Sequence, residues 1–411
     1  MNPPNSDRIE ARIQELGQQI FRLPRLHFLR KSYWQTKVMD IATQDPRVKT
    51  QLFRFVDVLP VLQSTQQKTD HLLEYLSAPS QLKKSKWPLS LRAITTLVGI
   101  PGFDKIISGV SDFQVRKMAG NFILGDSAES VLPRVMSRRE QGIAFTLDIL
   151  GEAVLSDDEA HLYQQKYLKL IETLGNQTRL WKRIPLLDES DLGPIPPVNL
   201  SVKISSLDCR MDPMSFEDSL ARLERRIEPI LRAAVKYGIF INFDMEQFAF
   251  KDLTRELFKR LISKSEFAHY RHFGIVVQAY LKSSLADVAD WIEFAKKRGT
   301  PHTIRLVKGA YWDYEVINAD QNGWEAPVFM SKYESDENYE ACVRALIDAY
   351  PAIELAAGSH NIRSISYALA YAEARGLKRN ALEVQMLYGM GDPFKESLSK
   401  MQVRVREYDP I

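Results

Sequence analysis

Apolar positions recur along this chain in two rhythms, and the switch between them divides it. Near the N-terminus Ile9, Ile13, Leu16 and Ile20 fall three or four residues apart, the period of one helical face. The pattern returns over 48–76 with charges interleaved, Pro24, Pro60, Pro79 and Pro88 punctuate it, and 81–87 reads as a solvated loop. Residues 1–135 are therefore predicted to form an N-terminal helical arm. From residue 141 onward, short β-rich runs alternate with longer amphipathic stretches. The runs are 143–148, 200–205, 239–244, 274–279, 303–308, 353–357, 382–387 and 403–408. Stretches such as 213–237, 286–298 and 337–349 are long enough to cross between parallel strands. Eight such units over 136–411 predict an α/β fold, a (β/α)8 TIM-like barrel following the helical arm.

A barrel of this kind builds its site from the C-terminal ends of its strands. Those ends carry Asp148 followed by Gly-Glu-Ala at 151–153, then Lys203, Asp244 with Glu246, Gln278, Arg305 with Lys308, His360 with Asn361, Gln385, and Tyr408. One buried ionisable group can be a satisfied core residue; so many at one end of successive strands point to a ligand. The richest stretch is Arg-Leu-Val-Lys-Gly-Ala-Tyr-Trp-Asp at 305–313. Arg305 and Lys308 are two cations within four residues, Gly309 permits a turn or a close approach, and Tyr311 and Trp312 offer flat faces. Together they suit a planar, anionic ligand.

Charge and cysteine usage narrow the classes. Lys and Arg number 55 against 52 Asp and Glu, a net +3 that gives no electrostatic footprint for nucleic acid. Cys209 and Cys342 stand far apart in no metal or redox spacing, so neither a disulfide framework nor a metal site is expected, and a reducing, cytoplasmic setting is. The first residues lack a signal-peptide pattern and no run of about 18 apolar residues occurs, so the expected membrane contact is at most peripheral.

The motifs resemble, in order and spacing, those of the proline dehydrogenase family. They are Ser-Val-Lys-Ile-Ser-Ser-Leu at 201–207, Asp-Met-Glu at 244–246, Gly-Ile-Val-Val-Gln-Ala-Tyr at 274–280, the 305–313 stretch, Ser-His-Asn at 359–361, and Gln-Met-Leu-Tyr-Gly-Met-Gly at 385–391. The likeness covers 140–410 and is nearest to the proline dehydrogenase domains of bifunctional proline utilization A proteins. It implies oxidation of L-proline to 1-pyrroline-5-carboxylate by hydride transfer to FAD, the first step of proline catabolism. Electrons would pass to a membrane quinone, and an aldehyde dehydrogenase domain or chain would take the product.

By the same resemblance, Gln278, Arg305, Val307, Lys308, Gly309 and His360 fall on FAD-contacting positions, together with Asp244, Ser359 and Asn361, and Trp312 lies near the adenine or its linker. Lys203 and Asp244 face the substrate, Tyr311 and Leu387 pack on the proline ring, and Tyr408 is the aromatic of a Tyr-x-Pro-x-Gly turn. Glu152 pairs with an arginine of the last barrel helix. This chain departs from the family at its end: it stops at Tyr-Asp-Pro-Ile, 408–411, before the eighth helix, whose two adjacent arginines clamp the proline carboxylate. The expectations that follow are a fragment of a longer protein, Lys203 as the main cation for that carboxylate, low proline turnover by this chain alone, and an open apolar groove between the first and seventh barrel helices. Two other readings are a Schiff-base aldolase using Lys203 or Lys308, and a non-catalytic flavin-binding or scaffold subunit. The DNA-binding ribbon-helix-helix module of some bifunctional relatives finds no counterpart in residues 1–16.

Overall fold

The computed structural model of the chain describes residues 6–22, 67, 71, 74, 124–125, 127–151 and 153–411. The chain divides into two units, residues 1–24 with 123–411, and residues 25–122. Most of the run expected over 48–76, the four prolines, the 81–87 loop and Glu152 lie outside the described residues.

The first unit is a closed barrel of eight parallel strands in sequential order. The strands are β1 (Ile143–Asp148), β2 (Asn199–Val202), β3 (Phe240–Phe243), β4 (Phe273–Gln278), β5 (His302–Val307), β6 (Ile353–Gly358), β7 (Glu383–Leu387) and β8 (Arg404–Pro410). β8 closes the ring by pairing with β1 from Ile143 opposite Val405 to Asp148 opposite Pro410. β1, β3, β4 and β6 are mostly apolar because both faces are covered, side chains on one side and helices on the other, whereas β8 buries Arg404, Arg406, Glu407 and Asp409. The run expected over 200–205 ends early, since Ile204–Ser206 coils into a short 3-10 turn immediately after Lys203.

Helices follow the strands: α3 (Asp157–Thr178), α4 (Phe216–Tyr237), α5 (Lys251–Ser263), α6 (Ser284–Arg298), α7 (Trp312–Asn322), α8 (Lys332–Asp348), α9 (Ile362–Ala374) and α10 (Asp392–Lys400). Before the barrel in sequence, the described residues include α1 (Ser6–Arg22) and α2 (Ala128–Glu140). Local chemistry sets their ends. Ser156 caps α3 by accepting from the Glu159 N–H, and Ser331 with Glu334 forms a reciprocal capping box on α8. Gly238 closes α4 in the left-handed region at φ 65°.

The apolar stripe read at Ile9, Ile13, Leu16 and Ile20 is buried, and α1 packs along α9. Ion pairs Arg12–Glu373 at 2.7 Å and Arg363–Glu10 at 2.8 Å flank the contact, and Phe21 meets Phe394 of α10 edge to face.

The open groove expected beside the barrel's closing strand is not found. Val403, Val405, Glu407 and Asp409 are all buried. Arg138 of α2 donates to Glu407 through Nε at 2.6 Å and to Asp392 at 3.0 Å, while Lys395 of α10 donates to the same Glu407. Val131 and Val135 place the apolar face of α2 in the core cluster, and α2 packs on β1. The outer wall here is thus made by a helix that precedes the barrel, and the expectation failed because it assumed that only a following helix could cover β8.

Candidate active site

Alternation along each strand brings every second side chain inward. At the mouth of the barrel this gathers five ionisable groups from five strands, with Asp244, immediately after β3, at the centre. Its Oδ1 accepts from Arg305 Nη1 at 2.6 Å and from Asn242 Nδ2 at 3.2 Å, and its Oδ2 accepts from the Tyr408 hydroxyl at 2.6 Å. Arg305 also donates to Ser201 Oγ at 3.0 Å, and its guanidinium lies 5.2 Å over the Tyr408 ring. Lys203 Nζ sits 2.5 Å from Asp148 Oδ1, 3.3 Å from the Tyr408 hydroxyl and 3.8 Å from Asp244 Oδ2. Two cations thus face two carboxylates in a volume nearly closed to solvent.

The electrostatics follow from that confinement. Burial pushes the Asp148 carboxyl up, the Lys203 ammonium opposes it, and the nearby Asp244 charge adds to it, leaving the group at about 6. Burial, with Asp244 and Asp148 close by, raises the Tyr408 phenol well above its ordinary value, so it stays a donor.

Some polar atoms at this mouth have no partner. Arg305 is 4% exposed, yet its Nε and Nη2 bond to nothing, and neither does Gln278 Oε1. Gln278 is oriented by its amide, which donates to the Met245 and Glu246 carbonyls at 3.4 and 3.3 Å. Buried donors and acceptors left unmade are costly, and at a strand-end site they mark where a ligand's polar atoms belong.

On one flank, Lys308 pairs with Asp336 of α8 at 2.5 Å. Gly309 has φ 134°, and a Cβ there would lie 2.5 Å from the Tyr280 ring, so only glycine fits. Tyr311 stands at the start of α7, and the half-exposed Trp312 donates its indole N–H to the Phe329 carbonyl at 3.0 Å. Val307 packs against Gly358 of the neighbouring strand. On the other flank, His360 Nε2 accepts from the Leu387 N–H at 2.9 Å, and burial, with Lys395 contributing, lowers its pKa. Ser359 Oγ accepts from the Asn361 N–H, and Asn361 Oδ1 caps α9 through the Ser364 N–H. Leu387 is exposed at the rim.

Lys203, Asp244, Arg305 and Tyr408 therefore converge, while Lys308, Gly309, Tyr311 and Trp312 form one rim and Ser359, His360, Asn361 and Leu387 another. Sequence reasoning gave no role to Asp148, the partner of Lys203, nor to Ser201 and Asn242. The signal was there: Ser201 and Asn242 each precede a chosen residue, Lys203 and Asp244, by two positions and so share its face. Glu246, named at a strand end but given no role, has a buried carboxylate that accepts from the Ser205 N–H at 3.2 Å and from its hydroxyl.

Among the described residues no cluster of metal-ligating side chains occurs, and no helix is long and apolar enough to cross a membrane. The family model described as Proline dehydrogenase matches residues 131–411, and that of the Proline utilization A N-terminal domain matches 10–122. The bifunctional protein PutA of Escherichia coli is 28% identical over 78% of this chain, which spans 24% of that protein's length. A proline dehydrogenase of Deinococcus radiodurans is 30% identical over 71% of this chain and 81% of its own. The crystal structure of proline utilization A from Bdellovibrio bacteriovorus, inactivated by N-propargylglycine, superposes with a TM-score of 0.87 at 38% identity, covering 98% of this chain and 40% of that one.

Proposed function

Because this chain belongs to the proline dehydrogenase family, we propose that its barrel oxidises L-proline to 1-pyrroline-5-carboxylate, with FAD as the cofactor. The observation that carries the reading is the buried Arg305 guanidinium, anchored by Asp244 and Ser201 yet left with two unpartnered nitrogens at the strand ends. Bound FAD would supply the acceptor for the hydride that leaves the substrate. The residues fit such a group, since Arg305 and Gln278 present unmet polar atoms at the strand ends. Val307, Lys308, Trp312, Ser359, His360 and Asn361 would complete its cradle, with Asp244 bracing Arg305. Lys203 would meet the substrate carboxylate, Tyr311 and Leu387 would pack on its ring, Tyr408 would hold Asp244 through its hydroxyl, and Glu152 would pair with an arginine of the last barrel helix.

By this proposal the electrons go on to a quinone at the inner face of the membrane, from a cytoplasmic protein in peripheral contact with it, and an aldehyde dehydrogenase domain or chain takes the product. Residues 1–135 act as the N-terminal helical region and 136–411 as the catalytic barrel. A Schiff-base role is disfavoured by geometry. Lys203 Nζ is already engaged by Asp148, Tyr408 and Asp244, and Lys308 Nζ by Asp336, so attack on a carbonyl requires breaking those contacts first.

The test is anaerobic titration of the flavin-loaded full-length protein with L-proline. Bleaching of the visible flavin bands with stoichiometric product is expected. A colourless protein, or a flavin that proline leaves oxidised, would overturn the assignment, and a borohydride-trapped covalent adduct with a carbonyl substrate would favour the aldolase.

A further inference from the structure

We propose that Asp148 is the specificity residue that reads the substrate's amino group, a role distinct from that of Asp244. The proposal rests on the proline reading above and assigns a recognition partner to the second charge of that amino acid.

The argument begins with charge balance. Lys203 and Arg305 face Asp148 and Asp244, so within this cluster two cations meet two carboxylates. The two carboxylates are not equivalent. Asp244 is saturated by donors that belong to the protein: Arg305, Asn242 and Tyr408. Asp148 takes its strongest contact from Lys203, the cation best placed to meet a substrate carboxylate. When Lys203 turns to that carboxylate, Asp148 loses its counter-charge while remaining buried at 3% exposure. An uncompensated carboxylate in such a place is costly, and a ligand that brings a cation of its own removes the cost.

An α-amino acid brings one. Its ammonium and carboxylate are bonded to the same α-carbon, so one ligand can replace both halves of the Lys203–Asp148 pair. A carboxylate lacking the amine takes Lys203 and leaves Asp148 stranded. The groups that face Asp148 are Lys203 of β2, Asp244 of β3 and Tyr408 of β8, with Tyr167 of α3 behind them. Lys203 is the cation among these, which is why its diversion matters.

The test compares two ligands in flavin-loaded full-length protein, with Asp148→Asn and Asp148→Glu. The first ligand is L-proline, followed by KM, kcat and anaerobic flavin reduction. The second is tetrahydrofuran-2-carboxylate, which has the ring and the carboxylate and no amine, followed by its Kd from perturbation of the flavin spectrum. Asp148→Asn is expected to raise KM for proline about tenfold or more while the amine-free acid binds as tightly as before or more tightly, because a competing carboxylate has gone. Asp148→Glu should restore most of the discrimination. Lowering the pH from 8 to 5 should weaken proline relative to the amine-free acid in the wild type and do so far less in Asp148→Asn. Parallel weakening of both ligands would show a structural role only and overturn the proposal, as would an unchanged KM for proline. If the wild type is not bleached by proline at all, the functional reading falls and takes this inference with it.

Discussion

Arg305 and Asp244, 61 residues apart in sequence, meet at 2.6 Å across the mouth of the barrel. The contact fixes a planar cation on one strand by a carboxylate on another, leaving Nε and Nη2 of the guanidinium unengaged. A cation so held needs little reorganisation to oppose negative charge developing on a ligand.

Arg305→Ala should therefore slow proline-dependent flavin reduction by on the order of a hundredfold and weaken flavin retention. Arg305→Lys should recover part of the rate, since it restores charge without the fork that reaches Ser201. Stopped-flow absorbance, with flavin content measured on each variant, checks both. An Arg305→Ala protein with normal content and rate is incompatible with the assignment.

Gly309→Ala should be poorly tolerated despite adding one carbon. The residue sits at φ 134°, and the new Cβ would lie 2.5 Å from a Tyr280 ring that is itself buried. Backbone strain and overpacking each cost on the order of 1 to 3 kcal/mol. Purified Gly309→Ala is expected to melt earlier and to carry less flavin. Pairing it with Tyr280→Leu, which makes room, should return part of the stability and none of the φ strain, and a full return would mean that the clash alone mattered.

The barrel was legible because most of its strands are largely apolar with chemically useful residues at or near their C-terminal ends, as at Lys203, Asp244 and Arg305, although β7 starts with Glu383 and β8 carries charges along its length. The partners of those residues were not legible. Lys203 and Asp148 are 55 residues apart, Lys308 and Asp336 are 28, and nothing in either sequence neighbourhood names the other. Ring closure makes the Lys203–Asp148 pair, because inward side chains of neighbouring strands meet only once the register is set, and the Lys308–Asp336 pair needs α8 docked beside the strand end. The wall beside β8 was misread for a related reason. Glu407 is covered by Arg138 from a helix that precedes β1, and a chain-order reading assigns each strand only the helix that follows it.

Leu16→Ala should destabilise the barrel unit although residue 16 lies more than a hundred positions from the first strand. The side chain is 1% exposed, within the core cluster that α1 shares with the barrel, and α1 packs along α9. Truncating a buried leucine costs about 2 to 5 kcal/mol. Urea unfolding followed by barrel tryptophan fluorescence should show a midpoint shift of that size. Arg12→Ala, which removes the half-exposed Arg12–Glu373 pair, should shift it much less. Equal effects from the two changes would mean that α1 is held by its ion pairs and not by its apolar stripe.

Glu383→Gln should change how stability responds to acid. Burial alone would raise this carboxyl, but attraction to Arg406 and Arg404 prevails and holds it at about 2, below its ordinary 4.5. A carboxylate with a depressed folded-state pKa contributes stability that is complete above about 4.5 and is lost as the pH falls toward 2. The size of the shift corresponds to on the order of 3 kcal/mol at neutral pH. Arg406 donates Nε and Nη2 to Glu383 at 2.9 and 3.0 Å, so the substitution also leaves a buried guanidinium without its counter-charge. Asp148 acts in the opposite sense: its pKa is raised to about 6, so its contribution is present below its ordinary 3.8 and is lost as the pH rises through 6. Wild-type and Glu383→Gln proteins are therefore expected to differ by a constant gap in urea unfolding free energy from pH 7 to pH 5, and by a shrinking gap from pH 4.5 down to pH 3. Asp148 is unaltered in both and cancels in the difference. A gap that stays constant down to pH 3 would mean that Glu383 titrates normally and that the arginines at the base of the barrel are balanced by other groups.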